Sequence, residues 1–137
     1  MKKILDTIEI EITGLGRPLT QNTQRHLSRY QYRDKTRQWR NTAAKLWEEA
    51  NPEHLQLSGC TITATPIYLN KQNLPDTANT YPSVKAAIDG AVDAGLLKDD
   101  DAKYVQTIVQ HAPKSTGKEI ALSMRITGYR SENTKIS

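Results

Sequence analysis

The first clear pattern along the chain is an alternation of apolar and polar residues close to its start. In residues 7–12, TIEIEI, the apolar positions are Ile8, Ile10 and Ile12, and Thr or Glu stands between them. Side chains of a strand point alternately to its two faces, so this period of two predicts a half-buried β-strand.

Three later segments also have strand patterns. They are LQLSGCTITATPIYLN (55–70), YVQTIVQHAP (104–113) and KEIALSMRITGY (118–129), and a turn containing Gly117 separates the last two. Pro66 lies within the first of these segments, and it favours a sheet edge or a bulge because proline has no N–H to donate to a neighbouring strand.

Two segments have the period of a helix instead. Residues 34–51 place apolar side chains at steps of three and four, with Asp34 as the predicted N-cap and Asn51-Pro52 as the end. Its apolar face is Trp39, Ala43, Leu46, Trp47 and Ala50. The two tryptophans are expected to be core anchors, with base stacking as the weaker alternative.

The second helical segment starts near Thr80 or Tyr81, has Pro82 in its first turn and continues towards Leu97. Its apolar positions are Val84, Ala87, Ile88, Ala91, Val92 and Leu96. On another stripe Lys85, Asp89 and Asp93 follow one another at every fourth residue.

The region between the first strand and the first helix, about residues 17–36, is polar and basic without a sustained period. It is predicted to be a long loop or a partly ordered arm. The tail from about residue 130 to 137 is expected to be frayed. Together the elements predict one small α+β domain over residues 1–137, with a mixed sheet packed against two main helices.

The composition limits the classes of protein to which the chain can belong. Cys60 is the single cysteine and is expected to be a buried structural thiol, so no disulfide within the chain is expected. The start, MKKILDTIEIEI, is not typical of a signal peptide, and no apolar run is long enough to cross a bilayer. We therefore expect a cytoplasmic protein that does not bind membranes.

Charge is distributed unevenly, although the net charge is only +4. Residues 17–45 contain eight basic side chains and the single acid Asp34, whereas residues 76–101 contain six aspartates and only Lys85 and Lys98 as cations. This asymmetry suggests that one part of the domain binds a polyanion and another part binds a cation. Two ordinary solvated faces are the alternative.

The acidic region, about residues 74–105, offers a specific chemistry. Converging carboxylates repel one another, and Mg²⁺ removes that conflict because it prefers carboxylate oxygens together with water and phosphate. A bound metal can activate water while Lys85 contacts a phosphodiester. From spacing alone, three aspartates such as Asp99, Asp100 and Asp101 after a helix are more often a solvated turn than a metal site. Lys85 with Asp89 is equally well a surface pair.

Several quoted stretches resemble the RusA-like family of Holliday junction resolvases, particularly its phage-borne members. They are LPDTAN (74–79), KAAIDGAVDAGLL (85–97), KDDD (98–101), and the upstream GRPLTQNTQRHL and RQWRNTAAKLW. The likeness covers roughly Gly14 to Val109, and the spacing from the lysine through the helix to the Asp-Asp pair is its most specific part.

The resemblance implies a homodimer and an endodeoxyribonuclease that uses Mg²⁺, or Mn²⁺ in its place, to cut four-way DNA junctions in recombination and repair. It implies catalytic roles for Asp76, Lys85, Asp99 and Asp100. The implied metal ligands are Asp76, Asp89, Asp99 and Asp100. Apart from the resemblance, the basic segment supplies candidate contacts to DNA phosphates, which are Arg17, Arg25, Arg29, Arg33, Arg37 and Arg40. Asn22 is either a polar contact to the DNA backbone or a turn-forming asparagine.

The sequence departs from the family upstream of Lys85, where the usual element is D-x-D-N. Aligned without a gap, its two aspartate positions fall on Asn79 and Tyr81. With three extra loop residues the element becomes DTAN, which retains Asp76 and Asn79 but has Ala78 in place of the second aspartate. The missing carboxylate motivates an alternative function, a junction-binding protein without cleavage activity. A regulatory or RNA-binding module is a third possibility.

Overall fold

A computed structural model describes residues 4–72 and 74–131, which form one α+β domain. In chain order the elements are β1 (Ile4–Ile12), α1 (Gln21–His26), α2 (Arg29–Ala50), β2 (Gly59–Tyr68), a short 3-10 helix (Thr77–Thr80), α3 (Tyr81–Asp93), β3 (Val105–Gln110), β4 (Lys114–Ser115) and β5 (Ala121–Ser131). The mixed sheet with two main helices confirms the fold class predicted from the sequence.

The sheet has the order β1-β5-β2-β3, and β4 pairs with β2 beyond the end of β3. The pairs β1–β5 and β5–β2 are antiparallel, whereas β3 and β4 run parallel to β2. Parallel neighbours cannot be joined by a tight hairpin and need a crossover connection. Here α3 is the helix of that crossover, and the acidic stretches lie immediately before and after it.

Pro66 lies in the interior of the sheet and pairs with Leu122 of β5 without a register shift, so neither the predicted edge nor the predicted bulge is found there. The carbonyls of Ala64 and Tyr68 accept hydrogen bonds from His111 and Thr116 respectively, so both face the side of β2 occupied by β3 and β4. Pro66, midway between them, faces the same side. Since pairing with β3 ends at Ala64 and pairing with β4 begins at Ile67, the proline falls in the gap where no donor is needed.

One face of the sheet packs against both helices. Ile10, Ile126 and Ile62 form a row across β1, β5 and β2, and a second row contains Ile12, Met124 and Ala64. All six side chains are buried in the core cluster that also contains the apolar faces of α2 and α3.

The two tryptophans fix α2 against α3. Trp39 Nε1 donates to the carbonyl of Ser83 at 2.9 Å, and Trp47 Nε1 donates to the carbonyl of Ala87 at 3.0 Å. Both side chains are buried and their polar atoms have partners, as the core requires. The prediction that they are core anchors is therefore confirmed.

Gly90 allows the backbones of these helices to approach closely. A Cβ atom at this position would lie 2.8 Å from the carbonyl oxygen of Arg40 and 2.9 Å from the amide nitrogen of Ala44. Glycine at this crossing thus sets the distance between α2 and α3.

The predicted basic loop is largely helical, so that prediction is wrong. Helix α2 begins at Arg29 rather than after Asp34, and Ser28 is its N-cap. Ser28 Oγ accepts from the Gln31 amide at 3.1 Å, while the Gln31 side chain accepts from the Ser28 amide at 3.0 Å. This reciprocal capping box satisfies two groups at the helix start and fixes α2 there. The predicted end at Asn51 is confirmed.

At the C-terminus, Arg130 and Ser131 continue β5, so the predicted fraying does not begin at residue 130. The remainder of the predicted tail, 132–137, lies outside the described residues. Cys60 is buried in β2, and burial raises the pKa of its thiol to about 11, which supports a structural role. Within 4–72 and 74–131, none of the helices combines the length and apolar character needed to cross a membrane.

Candidate active site and nucleic-acid interface

The start of α3 is held by its own first residues and by a residue at the end of β3. Thr80 is its N-cap and Pro82 is in its first turn, both as predicted. Gln110, the last residue of β3, donates to the Thr77 carbonyl at 2.6 Å and to Thr80 Oγ1 at 2.7 Å. These contacts orient α3 so that Lys85 and Asp89 lie on a stripe away from the buried face.

Lys85 connects two carboxylates that are distant in sequence. Its Nζ donates to Asp89 Oδ1 at 2.7 Å, one helical turn along α3, and also to Asp100 Oδ2 in the loop after the helix. The structure therefore brings together three of the predicted site residues and supports the predicted pair of Lys85 with Asp89.

The contacts in this cluster place one ammonium between two carboxylates, and they shift the pKa values of Lys85 and Asp100. The hydrogen bond from Lys85, together with its positive charge, lowers the pKa of Asp100. Partial burial opposes the charged form of Lys85, but hydrogen bonds to Asp100 and Asp89 and their negative charges outweigh it, so the pKa of Lys85 is raised. Both shifts favour the charged forms of Lys85 and Asp100 near neutral pH.

The other two aspartates of the acidic run shape the loop. Asp99 Oδ1 accepts a hydrogen bond from the Asp100 amide at 2.7 Å, so it positions the backbone of Asp100. The Asp101 carbonyl accepts from the amides of Tyr104 and Val105, which directs the chain into β3. The alternative of a hydrogen-bonded, solvated turn is thus true of Asp101, while Asp100 contacts Lys85.

Asp76 lies at the opposite end of α3. It is exposed, it precedes the 3-10 helix, and its carbonyl accepts from the Asn79 amide at 2.9 Å. Among the described residues, no hydrogen bond or ion pair joins its carboxylate to Asp89, Asp99 or Asp100.

The donor set is compatible with a divalent cation of the magnesium type. In the part of the chain that the structure describes, no three His, Cys, Asp or Glu side chains form a group that would hold a metal. Asp89 and Asp100 nevertheless share one cationic partner, the Lys85 ammonium, and so face a common position. Mg²⁺ needs only one or two carboxylates when water and phosphate complete its shell.

Arg40 and Asp93 make a second contact between α2 and α3. Arg40 Nε donates to Asp93 Oδ2 at 2.6 Å, and its Nη2 donates to Oδ1 at 2.7 Å. Asp93 matches the other acids of the stripe in spacing, but it pairs across helices. The hydrogen bond from Arg40 lowers the pKa of Asp93 despite partial burial, which acts in the opposite direction.

Four arginines form a stripe along the exposed N-terminal half of α2. They line an open depression of about 440 Å³ together with two neutral side chains. The lining residues are Arg29, Tyr32, Arg33, Thr36, Arg37 and Arg40. We call the four arginines the arginine stripe. Residues 29–38 of α2 include no buried side chain, so this half of the helix projects from the core.

The stripe has little negative charge beside it, except at its last member. Arg37 approaches Asp34 at only 3.9 Å, and both side chains are well exposed. Arg33 lies over the ring of Tyr30 at 5.7 Å from its centroid. Arginines one helical turn apart repel one another. An arrangement that retains this repulsion is suited to a polyanion.

The remaining predicted DNA-binding residues lie outside the stripe, on α1 and on the segment that precedes it. Arg25 is exposed in the last turn of α1, and Arg17 is exposed in the segment between β1 and α1. Asn22 lies within α1 rather than in a turn, and its side chain is outside the described part of the structure.

Two features of this region were not predicted. The capping box at SRYQ (28–31) has a readable signature, a serine followed three residues later by glutamine. The contact between Arg40 and Asp93 has no such local signal, because it joins residues 53 positions apart.

Comparisons with known proteins give no family assignment: no protein-family model matches the chain, and no curated protein is significantly similar to it in sequence. The resemblance described above therefore rests on the quoted residues alone.

Proposed function

We propose that the protein is a magnesium-dependent, structure-specific endodeoxyribonuclease that cuts four-way DNA junctions during recombination or repair. In this proposal it is encoded by a phage or prophage and acts in the cytoplasm of the bacterial host. The observation that carries this proposal is the continuity of two surfaces. The arginine stripe ends at Arg40, which pairs with Asp93 on the same helix that carries Lys85 and Asp89. A phosphate-binding surface thus adjoins a carboxylate centre.

The stripe supplies affinity for the DNA backbone. From Arg29 to Arg40 it extends about 16 Å at the rise of an α-helix. Arginine contacts to phosphates position a protein on DNA and carry no sequence information by themselves. Tyr30, 72% exposed beside Arg33, offers a ring on which an unpaired base at a junction would stack.

The carboxylate centre supports the hydrolytic step. Asp89 and Asp100 would hold the metal, with Asp99 orienting the Asp100 backbone and Asp76 as a further ligand candidate from the other end of α3. A bound Mg²⁺ supplies an activated water and neutralises charge on the phosphodiester. With both carboxylates bound to the metal, the Lys85 ammonium would donate to an oxygen of the scissile phosphate.

The symmetry of the proposed substrate favours a homodimer. A four-way junction has approximate two-fold symmetry, so a two-fold dimer presents one centre to each of two opposite strands. We include a homodimer in the proposal on this ground.

A junction-cleavage assay tests the proposal. Wild-type protein, Asp100→Asn and Glu53→Gln are incubated with a mobile four-way junction in Mg²⁺ or Mn²⁺, and binding is measured in parallel with Ca²⁺. We expect Asp100→Asn to lose at least about 100-fold in cleavage while retaining binding. Glu53 is an exposed acid in the turn after α2 and should be replaceable without effect. Unchanged cleavage by Asp100→Asn would show that the carboxylate centre is not the site of cleavage.

A second function, junction binding without cleavage, is favoured by Ala78. This residue stands in DTAN where the resembling family has an aspartate, and Asp76 makes no contact with the Lys85 cluster among the described residues. Tight junction binding by the wild type without nicking in either metal would establish this alternative.

A further inference from the structure

A second depression lies on the other side of α2 from the arginine stripe. It has a volume of about 240 Å³ and is formed where the segment after β1 crosses the helix. Its lining consists of Leu15, Arg17 and Leu19 from that segment and Lys35, Gln38, Trp39 and Thr42 from α2. At 3.6 residues per turn, Gln38 and Thr42 lie roughly opposite Arg33 and Arg37 on the helix.

The walls of this depression combine two kinds of chemistry. Leu15, Leu19 and Trp39 are buried and form an apolar floor. Arg17 and Lys35 are exposed cations, and no acidic side chain lines the site. Neither cation forms an ion pair with any carboxylate in the described portion of the chain. The site therefore joins uncompensated positive charge to an apolar surface.

Arg17 is held in place by its neighbours in sequence. Gly16 precedes it with φ of +87°, a conformation that side chains larger than glycine rarely adopt, and the buried Pro18 follows. Leu19 is fixed in turn, because Ser83 Oγ of α3 donates to its carbonyl at 2.9 Å. The cation is thus presented by an anchored segment.

We propose that this depression binds a single nucleotide unit, with its phosphate on Arg17 and Lys35 and its base against the apolar floor. Gln38 and Thr42 border the site, and an amide and a hydroxyl both donate and accept, which suits the edge of a base. The small volume, about 240 Å³, favours one nucleotide unit over a longer ligand. The site is separate from the carboxylate centre, and its occupancy does not depend on cleavage.

Two sources share this chemistry, a free mononucleotide and a nucleotide within a single DNA strand. Amide NMR titrations distinguish them. The probes are the four deoxynucleoside monophosphates, a four-nucleotide single strand, deoxyribose 5-phosphate without a base, and the nucleosides without phosphate. Signals of Leu19, Gln38, Thr42 and the Trp39 indole N–H report on the site.

We expect those signals to move with a nucleotide or the oligonucleotide, and at least about tenfold more weakly with either half-molecule. Arg17→Gln and Lys35→Gln should each weaken nucleotide binding about tenfold through the loss of a charged hydrogen bond. Lys45→Gln, which replaces an exposed lysine on α2 outside the lining, serves as the control and should bind as the wild type does.

The amide spectra of the variants also verify folding, since both replaced cations are exposed. Tighter binding of the oligonucleotide than of any monophosphate would assign the site to a DNA strand, and the reverse order would assign it to a free nucleotide. Equal binding of deoxyribose 5-phosphate, shifts confined to the stripe, or wild-type affinity in both Arg17→Gln and Lys35→Gln would overturn the proposal.

Discussion

Arg40 and Asp93 are joined by two parallel hydrogen bonds, at 2.6 and 2.7 Å, that connect α2 to the last residue of α3. The geometry is the two-pronged arrangement in which arginine binds carboxylates best. Both side chains remain more than a third exposed, at 44% and 37%, so water and salt screen the pair. Its main effect is positional: it places the end of the arginine stripe beside the helix of the carboxylate centre.

Asp93→Asn should therefore cost little stability, about 0.5–1 kcal/mol at neutral pH. The pKa of Asp93 is lowered in the folded protein, so its contribution is complete above the unfolded value of about 4 and is lost as pH falls through the lower folded value. Urea unfolding at pH 7 and at pH 3 measures this. The difference in the free energy of unfolding between the wild type and Asp93→Asn should be smaller at pH 3 than at pH 7.

Asp34→Asn is the matched control for this pair. Asp34 also faces an arginine of α2, but at 3.9 Å and with both side chains about two-thirds exposed. We expect its replacement to change the free energy of unfolding by less than about 0.5 kcal/mol. Equal effects of the two variants would show that the geometry at Asp93 has no energetic consequence.

The arginine stripe makes a prediction about salt. If Arg33 contacts a phosphate, Arg33→Gln should reduce the slope of log affinity against log salt concentration by about 0.9 on duplex arms, as each phosphate contact releases counterions. Fluorescence anisotropy with a labelled junction over a range of KCl concentrations gives the slope. Lys45→Gln, farther along the same helix, should leave it unchanged. An identical slope in Arg33→Gln would exclude this arginine from the interface.

Gly90→Ala should destabilise the protein by about 1–3 kcal/mol, because the added Cβ meets the backbone of α2 and not a flexible side-chain end. Helix propensity alone predicts the opposite sign, a gain of about 0.5–1 kcal/mol for glycine to alanine within a helix. Chemical denaturation gives the sign of the change in the free energy of unfolding, and that sign separates the effect of the close contact from the effect of helix propensity. A stabilised variant would mean that the helices do not cross as closely as described.

Ser28→Ala should loosen the projecting half of α2 by removing its capping box, at a cost of about 1 kcal/mol. Hydrogen exchange should increase at the first turns of α2 and remain unchanged at Trp47. Ser28→Thr keeps a hydroxyl at the cap and should behave nearly as the wild type. If Ser28→Ala changed hydrogen exchange equally at all positions of α2, the proposed role of the cap would be contradicted.

The parts of the fold predicted from the sequence are those whose side chains alternate between core and solvent. β1 and α3 have clear periods of two and of three to four, and the structure confirms both elements, although α3 ends at Asp93 and not near Leu97. The pair of Lys85 with Asp89 was also readable, because residues four apart on a helix are neighbours. Trp39 and Trp47 were identifiable as anchors for the same reason.

The first turns of α2 were missed because residues 29–38 bury no side chain, so they have no apolar period. The position of Pro66 in the sheet was predicted wrongly because a proline is tolerated there only where β3 has ended and β4 has not yet begun. The sequence of β2 alone does not contain that information. The contact of Lys85 with Asp100 was expected only in outline. Its geometry depends on how the loop after α3 returns to β3.

The projection of α2 has a mechanical consequence. The helix is fixed at its crossing with α3, near Gly90 and Arg40, while Arg29 lies about 16 Å away along the axis. A rotation of about 5° at the crossing displaces Arg29 by roughly 1.4 Å over that length. A displacement of this size decides whether a hydrogen bond forms. A small rotation at the crossing would therefore move the outermost cations of the arginine stripe while the carboxylates near the crossing stay in place.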